Sequence, residues 1–247
     1  MNKPKSKHYI EPDILLVHKP VGITSFDVIR KLRRVLGIRK IGHAGTLDPL
    51  AHGLMIVGIA TGTKKMTQYL KLPKTYIAEI LVGKTTTTGD LEGEVVDEKK
   101  IQKNDIDSSE LESIILGMEG SHALQVPLYS AIKVQGKALY TYAREGLTPP
   151  YIPEKEMNII SIQYLDDYSS GIYHIVKIRI EVSSGSYIRT LGEEFGRRIG
   201  YPATLKSLYR VAIDNYYDKN AYRFSVKENS KKSITRAIIE LLFGNKK

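Results

Sequence analysis

From about residue 13 onward the chain alternates short apolar runs with amphipathic stretches. Asp13–Val17 (DILLV) is a continuous apolar run closed by Lys19-Pro20 and Gly22, which predicts a buried strand. Val28, Ile29, Leu32, Val35 and Leu36 then recur at helical spacing, so a helix is expected to start at Thr24 or Ser25. Thr24-Ser25-Phe26-Asp27 has the form of a capping box with a carboxylate in the usual Glu/Gln place, and Gly37 is positioned to end the helix. Gly42 to Gly53 (GHAGTLDPLAHG) reads as a loop, and Leu54–Ala60 as a buried strand. Tyr76–Gly83 alternates as a strand does, and Val176, Ile178, Ile180 and Val182 repeat with period two. Ser109 to Glu112 opens another helix. Tyr187–Ile199 places Ile188, Leu191, Phe195 and Ile199 on one helical side, with Gly200-Tyr201-Pro202 ending it. Ile234, Ala237, Ile238, Leu241 and Leu242 predict one amphipathic helix within 227–247. Strands and helices interleave irregularly, which points to an α+β domain around a mixed sheet.

Leu124–Pro150 breaks the pattern. It holds Pro127, Pro149 and Pro150 with Gly136 and Gly146, and it mixes Tyr129, Tyr140 and Tyr142 with Lys133, Lys137 and Arg144. Aromatic and basic side chains interleaved on a loop-like segment suit stacking on unpaired bases as well as they suit a surface loop over buried tyrosines.

Charge narrows the choice of partner. The chain of 247 residues carries 37 Lys+Arg against 27 Asp+Glu, a net charge of +10. The excess is segregated. Val28 to Leu47 contains Arg30, Lys31, Arg33, Arg34, Arg39 and Lys40 and no acid, whereas between Thr88 and Glu119 acids heavily outnumber Lys99, Lys100 and Lys103. One face attractive to phosphates is the expectation. There is no cysteine, which excludes disulfides, Cys-ligated zinc and a thiol nucleophile. The N-terminal MNKPKSKHYIEPD lacks the apolar core of a signal peptide, and no apolar stretch reaches spanning length, so a cytoplasmic protein is expected.

Among candidate chemical residues, Asp48 stands out by its setting: a Gly-containing loop that runs directly into an apolar strand. Asp-Pro is by itself a turn signal. His43, five residues earlier, suits a ligand, a base or a packing role, and the six histidines form no metal-binding spacing. Arg189 lies at a strand–helix junction in SGSYIRT, where a guanidinium can satisfy carbonyls, bind phosphate or pair with an acid. No Walker or dinucleotide-binding glycine pattern occurs.

The motifs ILLVHKPVGITSFDVIRKLR, IGHAGTLDPLAHGLMIVGIATGTK, LPKTYIAEI, TTTGDLEGEV, VPLYSAIKVQGKALYTYAREG and SSGSYIRTLGEEFGRRIG follow one another between Asp13 and Ile213. In that order they resemble the bacterial tRNA pseudouridine-55 synthase family of the TruB type. The resemblance implies a pseudouridine synthase fold, a mixed, mainly antiparallel sheet flanked by helices, with a thumb-like insertion at about 124–150. It implies a catalytic domain over 1–215 and a short helical appendage over 216–247 in place of the PUA domain of many relatives. It implies that Asp48 is the essential aspartate, and that Tyr76 stacks on the target base and serves as base for the final C5 proton. It further implies that Arg189 pairs with the aspartate, that Tyr187 and Leu208 line the nucleotide pocket, and that His43 contacts nucleotides rearranged when the uridine flips out. The resemblance also implies that Lys19 and Pro20 belong to a motif that supports the catalytic loop.

The implied activity is isomerisation of uridine 55 in the T loop of tRNA, with no cofactor and no metal. The implied partner is the tRNA T stem-loop, met by a monomer with no obligatory protein partner. A guide-RNA-dependent pseudouridine synthase and a turnover-independent tRNA-folding chaperone are the alternatives. Two departures from the family pattern stand out. Leu128 replaces the second of two prolines, and Leu208-Tyr209-Arg210 replaces Leu-Arg-Arg, removing one expected basic contact.

Overall fold

A computed structural model describes residues 9–11, 13–102 and 105–223. The first elements are β1 (Tyr9–Glu11), β2 (Ile14–Lys19), α1 (Ser25–Leu36), β3 (Ile41–His43), β4 (Ala51–Ile59), α2 (Met66–Leu70) and β5 (Lys74–Val82). The chain continues through β6 (Lys84–Thr86), β7 (Val95–Glu98), α3 (Ser108–Leu116), β8 (Gly120–Gln125), β9 (Lys133–Val134), β10 (Lys137–Ala138) and α4 (Leu139–Arg144). It closes with β11 (Glu154–Ser170), β12 (Tyr173–Val182), α5 (Ile188–Ile199), β13 (Ala203–Ile213) and β14 (Tyr216–Tyr217). The helix expected within 227–247 lies outside the described residues. No helix among the described residues is long and apolar enough to cross a membrane.

Strand pairing is mainly antiparallel, with parallel bridges Val17–Tyr222 and Asp90–Leu205, so the fold is the α+β arrangement of a mixed sheet and helices. The chain divides into two compact units: residues 1–75 with 209–247, and the continuous stretch 76–208.

In the first unit the strand order is β1-β2-β4-β13, with β3 pairing β4 and β14 pairing β13. Ile14, Leu16, Leu54, Ile56, Met66 and Ile213 form its core. Helix α1 forms where the pattern places it. Thr24 Oγ1 accepts from Asp27 N (3.1 Å) while Thr24 N donates to Asp27 Oδ2 (2.9 Å), completing the capping box. The Thr24 hydroxyl also donates to Asp27 Oδ2 (2.6 Å), and this bond first, then those from Arg30 and Thr24 N, hold the Asp27 carboxyl down at about 2. Gly37 ends the helix in the left-handed region, φ 70°. Val28, Ile29, Leu32 and Val35 are buried, each contributing about 1.5–3 kcal/mol of apolar transfer.

The outer edge of β2 is covered in two halves. β1 pairs with Ile14 and Leu15. Further along, Tyr222 N donates to Leu16 O (2.9 Å) and His18 N to Tyr222 O (2.8 Å). Asp218 fastens this second half. Its buried carboxylate faces His18 Nδ1 (2.9 Å) and accepts from Tyr209 Oη (2.8 Å) and Arg223 Nη2 (2.6 Å). Burial opposes its ionisation, but the bonds from His18 and Tyr209 outweigh burial and keep the carboxyl below its ordinary range. Tyr209, the residue that departs from the family pattern, is thereby given an internal role, and its ring also stacks on His52 at 4.5 Å.

In the second unit the strand order is β5-β12-β11-β8. Ile80, Ile178 and Ile180 from the sheet meet Ile115 of α3 and Leu191 and Phe195 of α5. The segment expected to be thumb-like is structured. It contains the hairpin β9–β10 and helix α4, and it has a small core of its own, Val126, Val134 and Leu139. Leu128, where relatives carry proline, packs against that core. Helix α3 starts one residue earlier than Ser109, because Asp107 is the residue that caps it, accepting from Ser109 N (2.7 Å).

Candidate active site

The candidate residues fall into two groups, one in each unit. The first unit holds Asp48, His43, Lys19 and Pro20; the second holds Tyr76, Tyr187, Arg189 and Leu208.

Asp48 is half-buried on a loop between β3 and β4 that is hydrogen-bonded on both flanks. Before it, Ser25 Oγ accepts from Leu47 N (2.8 Å) and donates to Leu47 O (3.1 Å). After it, Pro49 O accepts from Gly22 N (2.9 Å) and from Lys19 Nζ (3.3 Å). Lys19 is 0% exposed. Its ammonium donates also to Pro20 O (2.9 Å) and Ile23 O (2.6 Å), so a full charge is buried on converging carbonyls. Asp48 O itself closes the turn by accepting from Ala51 N (3.1 Å).

Arg210 holds the start of the same loop. Its guanidinium is buried and donates to Leu54 O (2.6 Å) and Gly45 O (3.1 Å). Gly45 has φ +93°, a conformation that favours glycine, whereas a Cβ there would find only ordinary contacts. The glycine is therefore required by the path of the chain. Burial, and then the charge of Arg210, push the His43 imidazole below its ordinary value, which keeps it neutral at pH 7.

Lys74 sits in the same cluster. It is 5% exposed and donates to Leu72 O (2.6 Å). Burial, and then Arg210, bring its ammonium down from 10.5 to about 8. Between these two values the unfolded chain binds more protons than the folded one, so folding stability should rise with pH across that window. The stability difference between wild type and Lys74→Met, from urea unfolding at stepped pH, should shift in favour of wild type from about pH 8 to 10.5. A flat difference would mean that the folded protein does not disfavour the charged amine.

In the second unit, Arg189 lies in the first turn of α5 and is buried. Nη1 donates to Thr88 O (2.8 Å) and Nη2 to Tyr129 O (3.1 Å), while Nε lies 3.9 Å from Asp90 Oδ2. Asp90 is also buried, and its Oδ1 accepts from Thr88 Oγ1 (2.6 Å) and Glu92 N (3.0 Å). Glu193, one turn along α5, has its carboxyl raised by burial. Tyr187 directly precedes α5 and packs on the small thumb core, so the thumb-like segment meets this group through Tyr187 and through the Tyr129 carbonyl. Tyr76 on β5 and Leu208 on β13 are both buried.

Lys74, Arg210, Asp90 and Ser25 were not among the candidate chemical residues. A lysine inside an apolar strand pattern is a signal for a buried ammonium. Arg210 and Asp90 carry none, because the carbonyls and charges they serve are distant in the chain.

The class of the protein is set by its relatives: it is a pseudouridylate synthase, an isomerase. The TruB family pseudouridylate synthase N-terminal domain matches residues 33–188. The chain belongs to the TruB family. It is 38% identical over 225 residues to tRNA pseudouridine synthase B of Endomicrobium trichonymphae, covering 91% of this chain and 95% of that protein. It is 35% identical over 226 residues to tRNA pseudouridine synthase B of Bacillus subtilis, covering 90% and 72%. Its fold is similar to that in the crystal structure of a Cbf5-Nop10-Gar1 complex, with TM-score 0.64 at 22% identity over 90% of this chain and 55% of that one. A structure of an H/ACA RNP bound to a substrate RNA containing 2'-deoxyuridine gives TM-score 0.61 at 20% identity, over 85% and 50%.

Proposed function

We propose that this protein converts uridine 55 in the T loop of tRNA to pseudouridine. The observation that carries this reading is the clamped loop: Asp48 is fixed between Leu47, held by Ser25, and Pro49, held by Lys19 and Gly22. Uracil must leave C1′, turn, and rejoin through C5. No group can reach that bond inside a stack, so the nucleotide is flipped into the protein. Asp48 supplies a carboxylate that either attacks C1′ or removes a sugar proton to give a glycal-like intermediate. Both routes need the charged form. Arg189 provides the guanidinium that favours it in a dry site. Tyr76 stacks on the uracil and takes the C5 proton, Tyr187 and Leu208 line the base pocket, and neutral His43 contacts the displaced nucleotides. The protein acts in the cytoplasm as a monomer, without an obligatory protein partner.

The test is incubation with unmodified tRNA and with an isolated T-arm hairpin, followed by chemical mapping of pseudouridine. Pseudouridine should form at position 55 of both. The kcat/KM for the hairpin should stand within a hundredfold of that for whole tRNA and fall steeply with salt, because Arg30, Lys31 and Arg34 on α1 meet phosphates. No product, or product only at other positions, would sink the assignment. A larger deficit for the hairpin would show that contacts beyond the T arm dominate.

A further inference from the structure

Helix α1 presents one large apolar side chain to solvent. Phe26 is 53% exposed, although Ser25, Val28 and Ile29 around it are buried. It lies off the buried stripe, so packing does not account for it. The guanidinium carbons of Arg30 and Arg33 stand 5.7 Å and 5.4 Å from the ring centroid, within cation–π range. Neither arginine is loose: Arg30 pairs with Asp27, and Arg33 Nη2 donates to Ile41 O at 3.2 Å. The ring is thus held in a frame of two positioned cations.

This frame is fastened to the Asp48 loop. Ser25, adjacent to Phe26, makes both backbone bonds to Leu47, the residue before Asp48. Gly22, on the approach to the helix, bonds to Pro49, the residue after it. Phe26 therefore keeps a fixed place relative to Asp48, and RNA lying over that loop meets a surface fixed to it.

We propose that Phe26, framed by Arg30 and Arg33, is a stacking platform for an unpaired nucleobase of the bound RNA, with the guanidinium groups meeting flanking phosphates. The proposal rests on the reading of this chain as a synthase acting on a flipped uridine. Three features favour RNA over a lipid surface or an acidic protein: the aromatic face, the planar cations beside it, and the link to the loop that receives the nucleotide. Flipping one nucleotide leaves its neighbours unstacked, and an exposed ring offers them a replacement for the lost stacking.

The chain contains no tryptophan, so Phe26→Trp introduces a single indole reporter at this position. Its fluorescence should be quenched when the T-arm hairpin is added. Phe26→Leu, which keeps an apolar side chain but removes the ring, should weaken hairpin binding on the order of tenfold in Kd, while Phe26→Trp stays near wild type. A Phe26→Leu Kd within twofold of wild type, or an indole unaffected by saturating hairpin, overturns the proposal. So does an indole that responds to vesicles of anionic phosphatidylglycerol and not to hairpin, which would assign the ring to a membrane. Pseudouridine formation by the wild-type protein on the same hairpin is scored separately, so failure of the platform leaves the synthase reading standing and the reverse can also be seen.

Discussion

Asp48→Ala and Asp48→Asn are both expected to lower pseudouridine formation by roughly three orders of magnitude or more, as removal of a group that bonds to the reacting centre does in other enzymes. The loop should survive either change. The Ser25 hydroxyl, the Lys19 ammonium and the Arg210 guanidinium all grip main-chain atoms of the loop, and these bonds remain in either variant. Hairpin affinity should accordingly stay close to wild type. The asparagine variant keeps shape and loses charge, so it separates turnover from tRNA-folding assistance, which should persist. The measurement is single-turnover product formation together with filter binding. Turnover within tenfold of wild type would remove Asp48 from the mechanism.

Arg189→Lys should lose roughly a hundredfold or more in kcat/KM, because an ammonium cannot replace a planar fork whose separate nitrogens are committed to different partners. In this protein those partners include the Thr88 and Tyr129 carbonyls, with Asp90 alongside Nε. A lysine would leave at least one half-buried carbonyl short of a donor and the buried Asp90 less well compensated, so the melting temperature should fall as well. Steady-state kinetics and thermal unfolding on the same preparation report the two effects. Normal turnover with a lowered melting temperature would assign Arg189 a purely structural role; normal values of both would show that a point charge is enough.

The sequence was most legible where structure is local. The capping box of Thr24 and Asp27, the terminating Gly37 and the stripe from Val28 to Val35 all act within one helix, and α1 has the expected form. The period-two run ending at Val182 became β12 for the same reason. Loop-like composition misdescribed residues 124–150, where Val126, Val134 and Leu139 are too few and too irregularly spaced to show a period yet form a core in three dimensions. Asp48 and Arg189 drew attention through their settings and through family resemblance. The residues that hold them were hidden, because Ser25, Arg210 and Asp90 bind main-chain atoms or charges across long stretches of chain.

The fastening of β2 by Asp218 has a temporal side. His18 and Asp218 lie 200 residues apart, whereas the unit formed by residues 76–208 is made from one unbroken stretch. At about 5–20 residues per second, a ribosome needs roughly 10 to 40 s to travel from one to the other. During that interval the edge of β2 from Leu16 to His18 waits without Tyr222. Residues 76–208 are completed meanwhile and are free to close their own contacts. The edge of β2 from Leu16 to His18, unlike the half that β1 covers, is therefore the part of this sheet that closes last, when Tyr222 arrives.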